Sequence, residues 1–136
     1  MNQTAFLLIE NGLQNAVTAF QRYAEALYTR HPGAPKARRN IFQNLHEGSV
    51  IWHATFGKNY LDHIGKPKLD NLIRMFQQRH LLAHQEGIVD ADYISRSGDG
   101  RYTQGQRIVV RGDAVQECLD IIEKLASGLA SDLDRS

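Results

Sequence analysis

A chain of 136 residues, 42% hydrophobic and 23% charged, is sized for one domain with an ordinary core. Its formal net charge of +1 argues against broad attraction to nucleic acid and leaves room only for a local basic patch. The lone cysteine, Cys118, excludes an internal disulfide and points to a reducing, cytoplasmic setting; no apolar run has the length of a membrane span, and "MNQTAFLLIENGL" lacks a signal peptide's basic leader.

From Asn2 to about Tyr28, the residues Phe6, Ile9, Leu13, Val17, Phe20, Ala24 and Leu27 recur at steps of three and four. That spacing predicts one long helix with a single apolar stripe. "RHPGAP", Arg30 to Pro35, breaks it. A second helical stretch is expected from near Ala37 through Ile41, Leu45 and Ile51; Gly48 and Gly57 weaken it, so two pieces joined at "EGS" are expected. Trp52 reads as core. Gly65 and Pro67 open a third helix carrying Leu69, Leu72, Ile73, Phe76, His80 and Ala83, with Gly87 as its cap.

Ile88 to Arg111 reads as irregular chain or a short β-hairpin, from the turn signal "SGDG" and the β-rich "RIVV". The last helix is expected from Gly112–Asp113, with Asp113 as N-cap and a stripe of Val115, Leu119, Ile122, Leu125 and Leu129. The polar tail 131–136 is expected to fray. The expectation is one all-α domain over 1–136. It is an up-and-down bundle of four to five helices with an irregular or β-hairpin insertion before the last.

Among chemistry-bearing residues, His80 and His84 share a helix face and have zinc-ligand spacing. Leu81 stands where a zinc peptidase needs its glutamate, and no third ligand is near in sequence, so no metal is expected. No glycine-flanked nucleophilic serine, P-loop or dinucleotide glycine pattern is present. Cys118 reads as a buried thiol. Arg79 and His84 remain. A guanidinium holds phosphate through its forked donors, and an imidazole moves protons near neutral pH. Together they suit RNA cleavage, in which the 2′-hydroxyl needs a base, the phosphorane needs positive charge and the leaving 5′-oxygen needs a proton.

Positions five apart on a helix point roughly 140° away from each other. Arg79 and His84 therefore share one phosphate only if the helix loosens, the arginine wraps round, or two subunits assemble the site; a two-fold dimer is favoured.

"RHLLAH", Arg79 to His84, resembles the signature of HEPN domains (higher eukaryotes and prokaryotes nucleotide-binding): an arginine, four to six residues, then a histidine, often with a polar residue after the arginine. "QEGIVDADYI" is similar to the continuation seen in bacterial members, and "GQRIVV" to their C-terminal part. The bare pattern occurs three times, as Arg39–His46, Arg74–His80 and Arg79–His84; only the last has that continuation. The resemblance implies an all-α homodimer with the motif at the interface. It also implies metal-independent endoribonuclease activity, often as a toxin or phage-defence effector beside a nucleotidyltransferase-like antitoxin. Arg79 and His84 would then be catalytic and His80 auxiliary, with no cofactor. The alternative is an inactive HEPN module that binds a protein or nucleotide.

Arg38 and Arg39, with Arg30 and Lys36 beside them, are candidates for contacting RNA backbone. Tyr93 and Tyr102 are candidates for stacking on a base, against the simpler reading that they pack. Asp90 and Asp92 read as solvated loop or as histidine-orienting groups. The remaining histidines, His31, His46, His53 and His63, carry no assigned role.

Overall fold

The computed structural model describes residues 3–136, so the expected helix start at Asn2 lies outside the described residues. The architecture is all-α. Helix α1 spans Gln3–Arg30 and buries Leu13, Val17, Phe20, Ala24 and Leu27, the stripe its spacing predicts. The chain then folds back on α1: the Tyr28 hydroxyl donates to the Pro35 carbonyl, and the Tyr28 ring lies 5.4 Å from that of Phe42.

The second helical stretch differs from expectation. Residues 34–38 are not helical, and a 3-10 turn at Ile41–Gln43 precedes α2, Leu45–Phe56. Gly48 does not divide α2. A Cβ there would meet the Tyr60 hydroxyl at 3.0 Å and Phe42 Cδ1 at 3.1 Å, so the glycine permits close packing inside an unbroken helix. The break falls at Gly57, with φ 81 in the left-handed region. Asn59 and Asp62 form a capping box that starts the short α3, Tyr60–Ile64. Helix α4, Lys66–His84, opens on Pro67 as predicted.

The segment before the last helix is neither a hairpin nor wholly irregular. It holds a short α5, Ala91–Ser97, and an isolated antiparallel bridge between Ile88 and Arg107. Arg107 reaches back to α1 and grips buried Glu10 with a fork of 2.9 and 3.1 Å, anchoring the segment.

Helix α6, Gly112–Arg135, is capped at Arg111, not at Asp113. Its buried face is Val115, Cys118, Ile121, Leu125, Leu129 and Asp132, rotated from the expected stripe and leaving Leu119 40% exposed. Cys118 is buried as expected, and burial pushes its thiol up to about 12. The tail does not fray at 131. Asp132 is buried and accepts from Trp52 Nε1 (2.9 Å), His63 Nε2 (2.6 Å) and an Arg135 guanidinium nitrogen (2.7 Å). These bonds tie the helix end to α2 and α3. Helix α1 packs along α6 and α4, and α3 packs on both α6 and α4, so one core runs through the molecule. Among the described residues, no helix is long and apolar enough to cross a membrane.

Candidate functional site

A cleft of about 730 Å³ opens beside α1. Helix α1 packs against both the 3-10 turn and α4 and supplies Val17 and Gln21 as its floor. One wall is the chain from Arg38 to Glu47. It is turned by Asn40 in the left-handed region (φ 62) and set by Asn44, whose side chain accepts from Glu47 N at 2.9 Å and caps α2. The facing wall is α4, with Phe76, Gln77, Arg79 and His80; Arg96 of α5 completes the rim.

Four guanidinium groups line this cleft: Arg38, Arg39, Arg79 and Arg96. Glu47 is the one carboxylate in its lining, and Arg38 already engages it. Among the described residues, no carboxylate lies within ion-pair distance of Arg39, Arg79 or Arg96. Arg79 Nε is buried with no hydrogen-bond partner. An orphaned donor on a permanent cation is costly, on the order of 1–3 kcal/mol. The concentration is local, since the whole chain carries only +1.

His80 lies in this field. Partial burial, the neighbouring His84 and then Arg79 and Arg96 hold its imidazole below the ordinary histidine value, with Asp90 opposing. These surroundings favour the neutral imidazole over the protonated one. Besides the capping Asn44, four carboxamides, Gln21, Asn40, Gln43 and Gln77, line the cleft, and each has an NH2 and a carbonyl suited to a base edge or ribose.

The structure brings together Arg79, His80, Arg38 and Arg39 in a single chain. It does not bring His84 to the cleft lining. Helix α4 stays regular to His84, so the wheel argument holds: His84 is exposed and shares a face with His80, ring centroids 4.8 Å apart. Tyr93 is no stacking platform. It is 1% exposed, donates to Asp99 at 2.6 Å and accepts from Gln78 at 3.2 Å; burial and then the Asp99 bond push its hydroxyl up to about 12. Tyr102 also packs, its hydroxyl accepting from Val109 N. Asp90 is the N-cap of α5, accepting from Tyr93 N at 2.8 Å. Asp92 lies exposed in the first turn of α5. Lys36 lines only an adjoining pocket, and Arg30 lines neither.

Sequence reasoning missed Arg96, because α5 was not expected, and left His46 unassigned although Arg39–His46 fits the bare motif. Among the described residues, no three His, Cys, Asp or Glu side chains converge as a metal site. No family model, curated protein or solved structure matches this chain.

Proposed function

We propose that this protein is an endoribonuclease of HEPN type, acting without a metal to leave 2′,3′-cyclic phosphate and 5′-hydroxyl ends, as a toxin or phage-defence effector. The observation that carries the reading is the cleft: three arginines without carboxylate partners, one with a buried unpartnered Nε, beside a histidine held neutral. Arg79 and its neighbours bind the scissile phosphate and stabilise the charge that builds on the phosphorane. Neutral His80 takes the 2′-hydroxyl proton. His84, its ring centroid 4.8 Å from that of His80, is one of the neighbours that disfavour protonation of His80, in place of the direct base or acid role the motif suggests. The carboxamides suit unpaired bases, the part of RNA open to sequence readout. A homodimer and a nucleotidyltransferase-like antitoxin belong to the same proposal.

The test is cleavage of single-stranded RNA by purified protein in EDTA. Arg79→Ala and His80→Ala are each expected to slow it by at least about 100-fold, with unchanged circular dichroism. Wild-type rates in both variants would falsify the assignment. The second reading, an inactive module that holds a nucleotide, is favoured by the exposure of His84 outside the cleft. It predicts RNA binding without cleavage and no growth arrest on expression.

A further inference from the structure

RNA transesterification needs two proton transfers, and His80 accounts for one. As the 2′-oxygen attacks phosphorus, its proton must leave; as the bond from phosphorus to the 5′-oxygen breaks, that oxygen must gain a proton. One imidazole seldom serves both, because nucleophile and leaving group lie roughly in line on opposite sides of phosphorus. His84 cannot supply the second transfer from across the phosphate, since it stacks beside His80 on the same helix. The cleft lining holds one other imidazole, His46, in the first turn of α2 on the wall facing α4. It is exposed, and among the described residues no hydrogen bond or ion pair occupies its ring. Arg39, seven residues earlier, lines the same cleft, so a second arginine–histidine pair of the motif's spacing shares its lining with Arg79 and His80. The cleft volume lies within the roughly 300–1,000 Å³ of small-molecule sites, room for a dinucleotide step.

We propose that His46 is the general acid of this site, donating a proton to the leaving 5′-oxygen opposite His80, so that one chain carries a complete proton-transfer pair. The inference rests on the ribonuclease reading. The proton lost from the 2′-oxygen ends on His80, the proton gained by the 5′-oxygen comes from His46, and no co-reactant is needed.

The experiment compares His46→Ala with His80→Ala on two dinucleotide-containing RNAs, one ordinary and one with sulfur in place of the 5′-bridging oxygen. A thiolate leaves without protonation. His46→Ala is expected to lose about 100-fold or more on ordinary RNA and to recover to within about tenfold of wild type on the sulfur substrate. His80→Ala stays slow on both. Mixing His46→Ala with His80→Ala restores nothing if each chain holds its own pair. If His46→Ala matches wild type on ordinary RNA while Arg79→Ala and His80→Ala are inactive, the nuclease reading stands and the His46 assignment falls. Equal slowness of His46→Ala on both substrates, or restoration on mixing, overturns it as well. If wild type cleaves neither substrate, both proposals fall.

Discussion

Two polar clusters built from the same residue types sit in this molecule with opposite hydrogen-bond outcomes. At the end of α6, Asp132 accepts from Trp52, His63 and Arg135, and His63 packs so tightly that a Cβ on Gly128 would lie 2.4 Å from its Nδ1. Both carboxylate oxygens of Asp132 are engaged. In the cleft, cations face an open volume, three arginines lack a carboxylate and Arg79 Nε lacks any partner. A histidine or arginine in a closed set stabilises the fold. The same residue in an unclosed set beside a cavity stores binding free energy for something outside the chain.

The sharpest way to break this contrast is to remove one histidine from each cluster. His80→Ala is expected to lower RNA cleavage by about two to three orders of magnitude and leave the urea midpoint almost unmoved. His63→Ala is expected to do the reverse, leaving the cleavage rate intact and costing about 1–2 kcal/mol in urea unfolding. A large activity loss in His63→Ala would end the distinction between the clusters.

Asp132→Ala tests the closed cluster directly. It strands a buried indole N–H and takes the carboxylate from His63 and Arg135, so a loss of about 3 kcal/mol is expected by denaturant titration. A loss under about 1 kcal/mol would show that the helix end frays after all.

Gly128→Ala sharpens the packing claim through a change of sign. With His63 present, the added methyl group is expected to cost about 1–3 kcal/mol. With His63→Ala in the same chain, the clash is gone, and helix propensity favours alanine by about 1 kcal/mol. Equal effects in both backgrounds would mean that the ring is not what requires the glycine.

The smallest effect is a pH dependence. Folded His80 titrates below the ordinary histidine value, so the unfolded chain binds more protons than the native one just under about pH 6.5. Stability therefore rises with pH through that window and falls as pH drops. His80→Asn is expected to flatten that slope in thermal melts taken between about pH 5 and 7. An unchanged slope would mean that His80 is not held neutral by its surroundings.

The long helices were legible in the sequence because their signals are local. The stripe of α1, Pro67 at the start of α4 and the start of α6 near Gly112 all follow from spacing and backbone chemistry within a few residues. Helix α5 was not legible. Seven residues with one buried side chain, Tyr93, hold no periodic pattern, and packing against α4 sustains what propensity alone does not. The face of α6 was misread because Leu119 and Ile122 fit the period as well as Cys118 and Ile121 do. The site was half legible: Arg79, His80, Arg38 and Arg39 were named, but Arg96 and the role of His46 depend on elements that meet only in space.

By itself, then, the sequence determined the all-α class, the presence and approximate place of the three long helices and the arginine–histidine character of the α4 end, since each rests on neighbours along the chain. Only the tertiary structure decided that Asp132 is buried rather than solvated, that Tyr93 packs rather than stacks, and that the 38–47 wall faces α4 across a cleft. Those outcomes depend on which charges find partners, and the partners lie far away in the chain: Trp52 and His63 are 80 and 69 residues from Asp132. A carboxylate's sequence neighbours do not reveal whether distant donors will enclose it, and an arginine's do not reveal that none will.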